Sequence, residues 1–316
     1  MLTIGIVGYG LVSGEHINGW KNTGNVISAI ADPEFRKISR RLPGARMFSS
    51  AEAMLSASQL NVIDICTPHH LHWPQVASTK DWKGTIMVEK PLVVTTKALN
   101  EMGSLLGGHA APVILRTNKR FEPHVKPLLA ALAEDQSMPL SVKVVWRQRP
   151  KYMASRPWYY NKAISGGGVV LGMGIHYLEI FAEYLPDLVL QQAYLRTSRR
   201  SPNSPETTAE NYAHLKFSSS RGTVELVLSC WRSASVLPFE QITAKVGKRV
   251  TRWTRPAEFD RQRSLTDEFN SYVTMIRTRR SHPDPAVLYR AHALALSAYS
   301  SLALETFAPS ERGGHK

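Results

Sequence analysis

Residues Thr3–Ser13 read Thr-Ile-Gly-Ile-Val-Gly-Tyr-Gly-Leu-Val-Ser, and no other stretch restricts the fold as strongly. A short β-branched run meets Gly8 and Gly10, and an amphipathic helical pattern follows through about Trp20. A Gly-x-Gly turn between strand and helix lets the backbone approach phosphate oxygens held at the helix N-terminus. On this reading Gly8, Tyr9, Gly10, Leu11 and Val12 form a dinucleotide-binding turn. Ser13 stands where the fingerprint usually has Gly or Ala, and is small enough for close helix–strand packing. A tight turn without a ligand is the competing reading, because glycine serves turns generally.

The alternation continues. Asn25–Ala31 reads as a second strand ending at Asp32-Pro33. Asp32 lies about 20 residues beyond the glycines, where an acidic side chain accepts hydrogen bonds from the adenosine ribose. Its structural role would be to cap a helix over Glu34–Arg41. Arg36 and Lys37 leave NADP open, but the Asp32 carboxylate would repel a 2′-phosphate, so NAD is favoured. Short elements over Ala45–Phe48 and Ala51–Ser56 lead to a strand at Asn61–Cys66, followed by a loop Thr67-Pro68-His69-His70-Leu71-His72. The histidines have no Cys or carboxylate set at metal-ligand spacing, so no metal is expected. A loop at the carboxyl end of a parallel strand is where ligands gather in doubly wound sheets, which assigns Thr67, Pro68 and His72 to the cofactor side. A helix from Pro74 to Trp82 precedes strand Thr85–Val88 and Glu89-Lys90-Pro91. A lysine at a strand end followed by proline can project into a cleft and donate to a substrate oxygen. Helix Thr95–Leu106 and strand Pro112–Arg116 complete an α/β pattern with a mainly parallel, doubly wound sheet.

At 316 residues the chain has material for about two domains. Hydrophobic residues at 43% and charged residues at 20% describe an ordered, globular chain. No apolar run approaches the roughly 18 residues of a membrane span, and Met1 leads directly into strand-like sequence rather than a signal peptide. Cys66 and Cys230 lie in apolar strand runs and read as reduced core residues, which fits a cytoplasmic protein. The net charge of +14 could attract anions. The basic residues are dispersed, with Arg199-Arg200 and Arg277, Arg279 and Arg280 the densest clusters, and no nucleic-acid module accompanies them.

Gly8-x-Gly10, His16, Asp32-Pro33, Thr67-Pro68-x-x-x-His72, Glu89-Lys90-Pro91 and Asn118-x-Arg120-Phe121 together resemble the glucose–fructose oxidoreductase/inositol dehydrogenase (Gfo/Idh/MocA) family. The Glu-Lys-Pro element after the Thr-Pro loop is the specific part. The resemblance implies a Rossmann domain over 1–120 and a second α/β domain over 121–316. The second domain would carry an open, mostly antiparallel sheet that often mediates a homodimer or homotetramer. It also implies cofactor roles for Glu89 and Lys90.

Leu140–Arg149 alternates as a strand, with Val142, Val144 and Trp146 on one face. Gly166-Gly167-Gly168 opens a helical pattern and is expected to expose backbone N–H groups. The family's glycine-rich helix carries an Asp followed four residues later by His, a pair that works with the Glu-Lys-Pro lysine. Here His176 is present, but the Asp position is Gly172. Glu179, three residues beyond His176, is expected to orient its ring instead. Runs at Leu188–Leu195, Asn211–Phe217, Gly222–Trp231 and Phe239–Val246 read as sheet, which Gly247–Trp253 could extend. Helices are expected over Ser264–Ile276, with Ser264 and Asp267 as caps, and over Pro285–Leu304, followed by a fraying tail from Ala308.

These readings converge on a nicotinamide-dependent oxidoreductase acting on a sugar, cyclitol or related polyol. The basic balance makes a phosphorylated or nucleotide-linked sugar plausible. Proton transfer falls to His176, with Lys90 polarising the oxygen, or to Lys90 itself where Gly172 weakens His176. Arg120, Arg149, Tyr152, Tyr159 and Tyr160 are candidate substrate contacts by position. Two rivals stay open: a glycosidase using NAD for transient oxidation, and a cofactor-binding sensor without turnover.

Overall fold

The computed structural model describes residues 1–38, 42, 44–108, 111–134, 136–148, 157–197, 208–230, 237–258 and 260–300. Arg149, Tyr152, the loop 201–205 and the tail beyond 300 lie outside the described residues.

The first sheet holds six parallel strands: β1 (Thr3–Val7), β2 (Val26–Ala31), β3 (Arg46–Phe48), β4 (Val62–Ile65), β5 (Thr85–Glu89) and β6 (Val113–Arg116). Their order is β3-β2-β1-β4-β5-β6, with the reversal between β1 and β4. In such a sheet, ligands bind at the carboxyl ends beside this switch point. Both faces are covered by helices, which is why β4 and β5 are buried throughout rather than alternating. The helices are α1 (Ser13–Asn22), α2 (Phe35–Ile38), α3 (Ala51–Ala57), α4 (His69–Ser78) and α5 (Thr96–Leu105).

The second sheet orders β12-β11-β7-β10-β9-β8, over β7 (Leu140–Gln148), β8 (Val189–Arg196), β9 (Tyr212–Ser219), β10 (Gly222–Cys230), β11 (Phe239–Val246) and β12 (Arg249–Thr254). Only β7 and β10 pair in parallel; the other neighbours are antiparallel. Along β7, Val142, Val144 and Trp146 face the core, as the alternation requires. Short helices α6 (Lys126–Ala133) and α7 (Lys162–Ser165) lead to α8 (Ile175–Tyr184), which packs with α10 (Pro285–Ser300) against this sheet; α9 (Arg261–Arg277) precedes α10.

Several expectations are corrected. The three histidines are not in a loop: α4 begins at His69, after an extended Pro68 cap, and tolerates Pro74 in its interior. The cap of α9 is Asp260, whose carboxylate accepts from Arg263 N at 2.9 Å, and not Ser264 or Asp267. The unit expected over 121–316 does not pack by itself. From α9, Leu265, Phe269, Tyr272 and Ile276 join Ile4, Ile6, Ile17 and Trp20 in one cluster against the first sheet. The expected absence of a span-like helix also needs revision. Lys162–Tyr184 is long and apolar enough to cross a membrane, but 83% of its apolar window is buried within the fold. A helix that is apolar all round fits a protein core equally well.

Outside the cleft, one buried histidine ties α10 to the site. His292 Nδ1 donates to Leu288 O at 2.8 Å, so its Nε2 is free to accept from Leu92 N at 2.9 Å, two residues past Lys90. Burial lowers its pKa to about 4. The unfolded chain therefore takes up a proton near pH 6.5 that the folded state refuses until about 4, and stability falls across that window. At about 1.4 kcal/mol per pKa unit, His292 withdraws about 3 kcal/mol by pH 4. Urea unfolding from pH 7 to 4 should show this loss, and His292→Gln should flatten it. An unchanged slope in the variant would count against the assignment.

Candidate active site

Gly8 closes β1 with φ +88°, a conformation that costs glycine little. A Cβ there would lie 2.9 Å from Thr67 Cγ2, so the ends of β1 and β4 can meet only around glycine. Beyond Gly10 the space is open. Asp32 serves both expected roles: Oδ2 accepts from Tyr9 N at 2.8 Å, and Oδ1 accepts from Glu34 N at 2.7 Å at the approach to α2. The carboxylate thus pins the glycine turn and stays in the wall of a cavity of about 1080 Å³. Gly8, Tyr9, Gly10, Leu11, Val12, Asp32, Thr67, Pro68, His72, Glu89, Lys90 and His176 all line that cavity.

His72 is a brace between two walls. Its Nδ1 lies 2.7 Å from Pro91 O and its Nε2 2.7 Å from Thr67 O, joining the Thr-Pro turn to the end of β5. Burial lowers its pKa and the two carbonyls oppose that. His69 donates from Nδ1 to Ser165 O at 3.0 Å and is held neutral by burial, with His72 and Lys90 adding to the effect.

Glu89 lines the cavity, but its carboxylate is committed to protein partners. Oε1 accepts from His16 Nε2 and from Arg116 Nη1, each at 2.9 Å. His16 Nδ1 donates to Asp64 at 2.9 Å, and Trp20 Nε1 donates to the same carboxylate at 2.7 Å. Arg116 also reaches Glu268 at 2.7 Å and Glu15 at 3.1 Å, which binds α9 to the strand ends. Burial alone would strip His16 of its second proton, but the Asp64 carboxylate outweighs it and raises the pKa well above the usual range. Glu89 is held well below the carboxylate range, burial being overcome by His16 and Arg116.

Lys90 points across the cleft and donates from Nζ to Gly172 O at 2.8 Å. Gly172 lies in a π-helical turn, Val170–Gly174, that leads into α8. Such wide turns recur at functional sites. One turn further on, His176 is buried and its Nδ1 has no hydrogen-bond partner among the described residues. Burial, then Lys90 and Lys119, lower its pKa far below 6.5, so the ring is a neutral imidazole.

Glu179 does not orient that ring. It is buried and paired with Arg120, which also binds Glu183 at 2.6 Å. Glu179 and Glu183 are one helical turn apart and clamp the guanidinium away from the cavity wall, so Arg120 is not placed as a substrate contact. Tyr160 is likewise buried outside the cavity wall. Two of the glycine run's N–H groups are already taken within the protein: Gly166 N donates to Lys162 O at 2.8 Å and Gly168 N to Glu210. Glu210 accepts from Gly168 N at 2.7 Å and Val170 N at 3.0 Å, and from the Tyr299 hydroxyl at 2.8 Å.

The wall facing the glycine turn comes from Trp146, Cys230, Arg255, Trp158 and Tyr159, with Lys119 at its base. Burial pushes the Cys66 and Cys230 thiols up to about 12, which makes both inert. Lys119 is held by Glu122 at 2.8 Å and Glu240 at 2.6 Å. Sequence reasoning missed Lys119 and Arg255; in the chain they look like any surface cations, and only the packing of β11 and β12 against the cleft brings the buried Lys119 and the half-buried Arg255 into one cavity wall.

The fold and cleft define a dinucleotide-binding Rossmann domain joined to an α/β domain that closes the far wall. Residues 2–115 match the GFO_IDH_MocA family model, described as an oxidoreductase family with an NAD-binding Rossmann fold. That match covers the first domain only, and it agrees with the resemblance carried by the Gly8–Gly10 turn and Glu89-Lys90-Pro91. The chain is 26% identical over 184 residues to D-apiose dehydrogenase of Paraburkholderia graminis, covering 55% of this chain and 47% of that protein. The matched part therefore spans about half the length of this curated relative. Among solved structures, GenD2 from gentamicin A biosynthesis, in complex with NAD, superposes with a TM-score of 0.79 at 18% identity, covering 95% of this chain and 93% of that one. Myo-inositol 2-dehydrogenase of Lactobacillus plantarum gives a TM-score of 0.79 at 15% identity, with 95% and 96% covered. At these identities the structural likeness establishes the fold.

Proposed function

We propose that the protein is an NAD-dependent oxidoreductase that moves a hydride between the nicotinamide and a secondary alcohol or ketone of a sugar, cyclitol or sugar derivative. The observation that carries this reading is the single cavity lined by both Asp32 and the Lys90–His176 pair. The residues fit a dinucleotide: an open glycine turn, a pinned Asp32 carboxylate in the wall, and the Thr67-Pro68 edge opposite. Bound NAD supplies hydride acceptance at nicotinamide C4. The chain's own residues hold the reacting oxygen and manage its proton.

Because His176 is kept neutral beside two ammonium groups, forming an imidazolium there is disfavoured. Lys90 is then the group that polarises the oxygen and exchanges the proton, with His176 as a neutral hydrogen-bonding neighbour. The relatives named as D-apiose and myo-inositol dehydrogenases support a polyol as the substrate class. We also propose a homodimer or homotetramer formed through the second sheet.

Fluorescence titration with NADH and NADPH tests the cofactor site. NADH should bind at least about tenfold more tightly, a difference of about 1.4 kcal/mol, and Asp32→Asn should narrow that gap. Equal affinities in the wild type would remove Asp32 from the ribose. A panel including myo-inositol and D-apiose, followed by NADH absorbance, then tests turnover. Tight NADH binding with no turnover across the panel would favour the sensor reading that Gly172 keeps open.

A further inference from the structure

Gly172 leaves no empty space behind it. A Cβ built on this residue would overlap the hydroxyl oxygen of Tyr159 and sit 3.0 Å from its Cζ. A phenol from a different segment therefore fills the volume where a side chain at position 172 would begin. The backbone carbonyl of the same residue receives Lys90 Nζ. Tyr159 and Lys90 thus converge on one residue, in the wall that also contains His176. The phenol ring is held in place: His69 packs edge-on against it with centroids 5.2 Å apart, and is itself fixed by Trp158 at 4.9 Å and by the carbonyl of Ser165.

We infer that Tyr159 is a catalytic residue, its hydroxyl taking the place of a side chain at Gly172 and exchanging the proton of the reacting oxygen alongside Lys90. The inference rests on the oxidoreductase reading above. In the reductive direction a hydride and its electron pair reach the carbonyl carbon, the C=O π pair takes the Tyr159 proton, and the O–H bond of the product alcohol forms. The phenolate recovers a proton from the Lys90 ammonium, which recovers one from solvent. Oxidation runs the same steps backwards. A phenol suits this position because Glu179 is tied to Arg120, and the pull of the Glu89 carboxylate toward an imidazolium at His176 is outweighed by burial, Lys90 and Lys119.

The test combines three variants with two kinds of readout. Tyr159→Phe should lower kcat on the best panel polyol by about 10²–10³-fold, with the melting temperature and NADH affinity unchanged. Gly172→Asp alone should lower the melting temperature, because carboxylate and hydroxyl compete for one volume. Tyr159→Ala with Gly172→Asp should regain the melting temperature and exceed the kcat of Tyr159→Ala by about tenfold or more. Wild-type kcat in Tyr159→Phe, with turnover intact in the parent, would overturn the inference alone. So would a Gly172→Asp melting shift that is the same with and without Tyr159. Failure of the parent to bind NADH or to turn over any polyol would instead bring down the oxidoreductase reading, and this inference with it.

Discussion

Lys90→Met is expected to reduce turnover on any accepted polyol by about 10²–10⁴-fold, the range for a well-placed proton-transfer group. NADH affinity should change by only a few-fold, because the cofactor side of the cavity rests on the glycine turn, Asp32 and Thr67-Pro68. The variant has a second signature that needs no substrate. After burial itself, Lys90 is the charge that depresses His176 most, so its removal should move the His176 titration upward. Histidine NMR across pH 4 to 8 would detect that shift. A variant with parental kcat and an unmoved His176 would remove Lys90 from the site.

The largest stability effect is expected at His16. Its ring lies between the carboxylates of Asp64 and Glu89, at 2.9 Å from each, with no solvent exposure. His16→Ala removes the counter-charge from two buried acids, leaving Asp64 with Trp20 Nε1 and Glu89 with Arg116. Breaking a buried pair from one side typically costs about 3–5 kcal/mol, since the remaining charge stays desolvated. The pH dependence runs opposite to that of His292. The folded pKa of His16 is raised, so its contribution is complete below the unfolded value of 6.5 and disappears as pH climbs through the folded value. Urea unfolding at pH 6 and pH 9 should show a large deficit in His16→Ala at the lower pH and a smaller one at the higher. A loss under about 1 kcal/mol at pH 6 would mean that the two acids find other partners, against the geometry described.

Much of the first domain is legible in the chain because its signals are local. Strand runs, Gly8 and Gly10, and Asp32 at its distance from them depend on backbone geometry within one βαβ unit, which sequence spacing specifies directly. Even there, Thr67–His72 reads as a loop although His69 starts a helix, because Pro74 looks like a helix start when an extended Pro68 cap is not in view. The glycine run at 166–168 is visible, but its partner is not. Glu210 lies some forty residues away, and only the packing of the segment before β9 brings its carboxylate to those N–H groups.

Local pattern in the chain is enough for the doubly wound sheet, the dinucleotide turn, the placement of Lys90 at a strand end, and the lack of an acid at position 172. Each follows from periodicity, spacing or a single residue's chemistry. Tertiary structure alone decided the charge state of His176, the diversion of Glu179 and Arg120 into an ion pair, and the arrival of Tyr159 beside Gly172. Burial and contacts between distant segments set a side chain's electrostatics, and neither is written in the order of residues.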